Sequence, residues 1–106
     1  LRVVIRLYPR EEKDFPARIA VSVSKRRFKR AVKRNRVKRL IRETYRLNKN
    51  ILYSYIPEDK TMDILFIYLH DEIFEYGKIE KAITGAIKKI RSYIEKDSGG
   101  DIADTH

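Results

Sequence analysis

The sequence predicts an α+β fold, a small two-layer sandwich in which helices pack on a β-sheet. Three observations carry this. Leu1–Tyr8, Ala17–Ser24 and Met62–Leu69 are short β-branched or apolar runs of strand length. Two longer stretches, about 29–54 and 76–96, repeat apolar residues at helical spacing. With 106 residues, 42% hydrophobic and 38% charged, the chain can bury one core and no more. A single domain over residues 1–96 is expected, followed by a disordered acidic tail at 97–106.

Each element has its own warrant. LRVVIRLY reads as a strand stopped by Pro9, and Arg10–Pro16 as a charged, hairpin-like connection. ARIAVSVS alternates: Ile19, Val21 and Val23 share one face, Arg18, Ala20, Ser22 and Ser24 the other. The first face should lie under helices. The second, small and hydroxylic, makes a shallow floor on which a ligand backbone could lie. Lys25–Phe28 turns the chain into the first helix, which Pro57 ends by disfavouring helical geometry at Ile56. MDILFIYL is nearly continuous in apolar residues, as a central strand would be. In the last helix Ile79, Ile83, Ala86, Ile87, Ile90 and Ile94 share a side. Gly85 interrupts it at about 1 kcal/mol relative to Ala, which predicts a neighbouring backbone pressed close to it.

The charge is concentrated in one place. Of the 25 residues from Lys25 to Lys49, 13 are Lys or Arg and one, Glu43, is acidic, although the whole chain is only +10. On a helical projection Val37, Leu40, Ile41, Thr44, Asn48 and Ile51 form the apolar side. Asn35, Lys38, Arg39, Arg42 and Arg46 form the back. Lys38–Arg42 and Arg42–Arg46 are like-charge i, i+4 pairs, each unfavourable by a few tenths of a kcal/mol, with Arg39–Glu43 as the one relief. Such a face implies a polyanionic partner that supplies the countercharge. A membrane-surface helix fits less well, because the stripe contains Thr44 and Asn48 and no bulky aromatic. Phe28, Ala31 and Val32 project toward the basic side, Phe28 from the loop that leads into the helix.

Other chemistries find no support. The absence of Cys removes disulfides, thiolate metal sites and a cysteine nucleophile, and is consistent with a cytoplasmic protein. The longest apolar run, Ile64–Leu69, is far short of a membrane span. Of the two histidines, His106 lies in the tail and His70 at a strand end with no second ligand suitably spaced. The carboxylate pairs Glu11–Glu12, Glu58–Asp59 and Asp71–Glu72 fall in loops, not in an organised acid–base site. No glycine-rich phosphate loop or nucleophile elbow occurs. No partner helix precedes the basic one, as a helix-turn-helix on DNA would require. No catalytic residue is expected in the protein.

Ser22-Val23-Ser24-Lys25, followed by Ala31-Val32-x-Arg34-Asn35-Arg36-Val37-Lys38-Arg39-Leu40-Ile41-Arg42-Glu43, resembles the signature of the bacterial ribonuclease P protein subunit. The resemblance extends in element order from Leu1 to about Ile94. It implies the fold of a ribosomal protein domain, with a left-handed βαβ crossover through the basic helix, a hand otherwise rare. It also implies an accessory to a catalytic RNA that removes the 5′ leader of precursor tRNA, with Mg²⁺ bound mainly by the RNA and none by the protein alone. The expected partners are that RNA and the leader, with neither membrane nor DNA. The implied RNA-binding residues are Ser22, Ser24, Lys25, Arg26, Arg30, Arg34, Asn35, Arg36, Lys38, Arg39, Arg42 and Arg46. Arg34 and Asn35 would touch the leader near the cleavage site, and the later basic residues the catalytic RNA; an amide can both donate to and accept from a base edge. Two departures stand out. Phe28 and Arg30 replace a small residue and an Asn, so a bulkier, more basic cleft mouth is expected. The family's N-terminal helix, one wall of the leader cleft, precedes Leu1 and is not in this sequence. The alternative is a ribosomal or general RNA-binding structural protein of the same fold, which would need the charge but not Asn35.

Overall fold

The computed structural model describes residues 1–11 and 15–95; the expected tail at 97–106 lies outside them. The elements run β1 (Arg2–Pro9), β2 (Ala17–Val23), α1 (Ala31–Tyr53), β3 (Lys60–Tyr68) and α2 (Tyr76–Glu95). Strands and helices fall where the sequence patterns put them, with ends moved by a residue or two. Pro9 closes β1 from inside the strand.

The sheet order is β1-β3-β2. β3 pairs antiparallel with β1, Ile5 opposite Ile64, and parallel with β2, Val21 opposite Phe66. The hairpin expected between the first two strands is therefore absent. β3 carries the most continuous apolar run, and the centre is where a strand gains two ladders and covers most surface. The described residues at either end of the 10–16 connection are instead bonded to the start of β3. The Arg10 amide donates to the Asp59 carbonyl at 2.8 Å and the Met62 amide to the Pro16 carbonyl at 3.0 Å. The Arg10 Nε donates to the Lys60 carbonyl at 2.8 Å. β2, α1 and β3 thus form a βαβ unit whose parallel strands are immediate neighbours.

Both helices cover one face of the sheet and pack on each other, α1 also lying along β2. Val3, Ile5, Val21, Val23, Met62, Ile64, Phe66 and Tyr68 point into this layer. α2 contributes Ile79, Ile83, Ala86, Ile87 and Ile90, as its periodicity predicts. The buried side of α1 is Val37, Ile41, Thr44, Tyr45 and Leu52, turned away from the predicted stripe. Ile51 is 53% exposed, whereas Tyr45 is buried with its ring 6.1 Å from that of Phe66. A large ring fills the space between helix and sheet better than the branched chain at 51, so the stripe does contain a bulky aromatic after all. Thr44 and Asn48 face inward without penalty: Thr44 Oγ1 donates to the Leu40 carbonyl and Asn48 Nδ2 to the Thr44 carbonyl, both at 2.8 Å.

Two further expectations are corrected. A Cβ built on Gly85 would meet nothing within 4 Å, so no neighbouring backbone approaches. Gly85 instead lines an apolar groove of about 460 Å³ with Leu1, Tyr68, Phe74 and Ala82 among its walls and Lys78, Lys81 and Lys89 around it. Phe28, in the loop as predicted, is 5% exposed and packs 6.2 Å from the Tyr68 ring, so it plugs the core and does not enlarge a cleft mouth. None of the described helices is long and apolar enough to cross a membrane.

Candidate nucleic-acid interface

The lead-in to α1 is held by its own backbone and by one arginine. Ser24 ends β2; its carbonyl accepts from the Arg27 and Phe28 amides at 3.2 and 3.1 Å, and its Oγ accepts from the Arg26 amide at 3.1 Å. Arg34 Nη1 donates to the carbonyls of Phe28 and Lys29 at 2.7 and 2.9 Å. Arg27 pairs with Asp71 at 2.9 Å, tying the turn to the segment after β3. With Phe28 buried beneath, the turn is fixed, and Lys25, Arg26, Lys29 and Arg30 stand exposed around it. Arg30 occupies the N-cap without a side-chain cap, and no acid sits in the first turn. Ordinary helix design puts acids here to meet the positive end of the helix dipole. This start carries cations instead, an arrangement that favours an anion brought from outside.

Along α1 the predicted back face is real. Asn35, Lys38, Arg39, Arg42 and Arg46 ring an open recess of about 400 Å³ together with Glu43. Arg36 is exposed beside them. Glu43 bonds Arg46, at 2.6 and 3.3 Å, and not Arg39 as the sequence spacing predicted. The Arg46 guanidinium holds the Glu43 carboxyl below its usual range despite slight desolvation. The one acid of the helix thus lines the recess but is bonded to Arg46 on its C-terminal side, and its carboxylate is not spent on Arg39.

The second surface is the sheet face that the helices leave uncovered. Ser22, Ala20 and Arg18 of β2 project onto it, as the alternation predicted, and all three are exposed. β3 adds Ile67, Leu65 and Asp63 in register with them. β1 adds Arg2, Val4 and Arg6 on the far side. Ser22 and Ser24 therefore stand where the sheet floor meets the cationic start of α1.

The structure thus brings the sequence-predicted residues together as two joined surfaces. Ser22, Ser24, Lys25, Arg26 and Arg30 surround the junction; Asn35, Arg36, Lys38, Arg39, Arg42 and Arg46 extend from it along α1. Arg34 differs from the rest, because it is half-buried and spends Nη1 on the loop carbonyls. Missed from the sequence were Arg2, Arg6 and Asp63. The alternation of Arg2, Val4 and Arg6 with Val3, Ile5 and Leu7 was legible, but a hairpin reading left no reason to set it beside β2 across β3.

Fold and surface define a class: a small α+β protein presenting a predominantly cationic ridge beside an open sheet floor. The family model described as Ribonuclease P matches residues 2–91, and the chain belongs to that family. The "Ribonuclease P protein component" of Porphyromonas gingivalis is 43% identical over 91 residues, covering 85% of this chain and 66% of the relative. That of Clostridium botulinum is 42% identical over 79 residues, 72% of this chain and 64% of the relative. That of Chlorobaculum tepidum is 60% identical over 44 residues, 42% of this chain and 29% of the relative. The chain thus spans just under two thirds of the length of the Porphyromonas relative. No solved structure matches it.

Proposed function

We propose that this chain acts as the protein subunit of a ribonuclease P ribonucleoprotein in the cytoplasm, binding the catalytic RNA and the 5′ leader of precursor tRNA so that the leader is removed. The proposal rests on the strongly cationic back of α1, four basic residues to one acid, in a chain of this family. Lys38, Arg39, Arg42 and Arg46 would lie against RNA phosphates, where planar guanidinium forks give paired bonds and ammonium groups give charge. Asn35 and the Ser22–Ser24–Lys25 corner would hold the single-stranded leader, which the sheet floor receives next. Arg34 would position the turn while its remaining nitrogens reach out. Arg26, Arg30 and Arg36 add charge around the junction.

In this proposal hydrolysis belongs to the RNA, as does its Mg²⁺. The chain's own part is to neutralise phosphate and to fix the substrate strand, which raises affinity and lowers the cation concentration needed to bring two RNAs together.

The test is leader cleavage by the cognate RNA at low Mg²⁺, with and without the protein. Stimulation of cleavage is expected. No stimulation by the protein would refute the proposal.

A further inference from the structure

At the end of the sheet floor farthest from Ser22 sits a carboxylate. Asp63 projects from β3 between Arg6 on one side and Arg18 on the other, half-exposed. Its Oδ1 accepts from the Tyr8 hydroxyl at 3.0 Å and from Arg18 Nε at 3.1 Å. Arg18 closes the triangle by donating to the Tyr8 oxygen, with its guanidinium 5.7 Å from the Tyr8 ring centre. Both bonds fall on one carboxylate oxygen, which leaves Oδ2 directed to neither partner. Desolvation first, then the bond to Asp63, push the Tyr8 phenol above its ordinary value, so it stays a donor at neutral pH. Three side chains from three strands thus fix one another's orientation.

A carboxylate is out of place on a floor meant only for phosphate, since it repels a polyanion. A strand that crosses it must turn a base toward it. A carboxylate oxygen only accepts. Cytosine, adenine and guanine each offer an amino group on the edge used for base pairing, as single-stranded RNA is read. Uracil offers there one N–H flanked by two carbonyl oxygens, which the carboxylate repels. The adjoining Val4–Leu65–Ala20 row gives an apolar surface for the neighbouring nucleotide.

We infer that Asp63, oriented by Tyr8 and Arg18, is a base-reading subsite for single-stranded RNA that accepts amino-bearing bases and disfavours uridine. It deepens the reading above, since it rests on the leader crossing this face. The subsite lies four residues along β2 from Ser22, about 13 Å at strand rise. The selected nucleotide is therefore a few positions upstream of the one held at the junction.

The experiment uses the chain assembled with its catalytic RNA and precursor tRNAs that differ at one leader nucleotide at a time. At one position uridine is expected to bind roughly fivefold more weakly than adenosine or cytidine, the size of one hydrogen bond. Asp63→Asn, whose amide can also donate, is expected to abolish that difference without changing affinity for the leaderless tRNA. Tyr8→Phe, which leaves the ring in place, is expected to shrink it. A wild-type series flat at every position, or a uridine penalty unchanged in Asp63→Asn, overturns the subsite while leaving leader binding intact. Equal affinity for tRNAs with and without a leader overturns both this inference and the reading beneath it.

Discussion

The two helices share a sheet face and a length class but treat their exposed sides oppositely. α2 intersperses acids among its lysines, and Arg91 pairs with Glu95 at 2.9 Å one turn on while lying 4.7 Å from the Tyr55 ring centre. Such i, i+4 pairs support the helix that carries them. α1 places Lys38, Arg39, Arg42 and Arg46 on one side with only Glu43 among them, although neither helix has an acid in its first turn. One helix is stabilised by its own surface charges. The other tolerates unfavourable ones, which is what a surface completed by another molecule's phosphates looks like.

Charge removal in matched pairs separates the two helices most strongly. Arg39→Ala with Arg42→Ala should lower the slope of log RNA affinity against log salt by about two units, near 0.9 per phosphate contact on a duplex. Lys81→Ala with Lys88→Ala, on α2, removes the same formal charge and should leave that slope nearly unchanged. Filter binding or fluorescence titration across salt concentrations distinguishes the two. Equal losses from both helices would mean that net charge, and not the ridge, does the binding.

What was legible in the sequence follows the same division. Periodicity revealed which side chains share a face, so the back of α1 and the Ser22–Ala20–Arg18 row of β2 were readable residue by residue. It does not reveal how far a helix rolls toward its neighbours. α1 buries Tyr45 and Leu52 and exposes Ile51 because shape between the layers decides that, and shape belongs to several elements at once. Strand adjacency was hidden for a similar reason. Nothing local in Arg10–Pro16 says that β3 will come between β1 and β2, so Asp63 could not be set beside Arg18. Glu43 had two arginines within reach, and spacing alone could not choose the one at i+3 over the one at i−4.

Gly85 sharpens the contrast at smaller scale. Its place in α2 suggested a close backbone neighbour, yet a methyl group there would meet open space in the groove. Gly85→Ala should therefore stabilise the chain by about 0.5–1 kcal/mol through helix propensity and a less flexible unfolded state. Urea denaturation measures this directly. Destabilisation would mean that the groove wall lies closer than the geometry indicates. A stabilised variant that loses activity with RNA would mean that the groove is filled in the working assembly.

The smallest expected effect concerns the one buried polar group of α1 that the helix does not satisfy itself. Thr44 and Asn48 bond carbonyls a turn back, but the Tyr45 hydroxyl is buried without a hydrogen bond of ordinary geometry. Burial, with the Tyr53 phenol nearby, pushes its pKa far above the ordinary tyrosine value. An unmatched buried hydroxyl is unfavourable by roughly 1–3 kcal/mol, part of which returns when the oxygen is removed and the ring retained. Tyr45→Phe should thus leave stability unchanged or raise it by up to about 1 kcal/mol. The same group makes stability depend on pH in a known direction. Because its folded pKa lies above the unfolded value, its contribution is complete below about pH 10 and falls as pH rises further, where the unfolded phenol ionises first. Tyr68, also raised by burial, acts in the same sense and remains in the variant. Denaturation of Tyr45→Phe between neutral and strongly alkaline pH should therefore show a shallower, not an absent, alkaline decline. A loss of about 1 kcal/mol at neutral pH would show instead that the hydroxyl bonds Tyr53 in solution, and that α1 satisfies its buried face throughout.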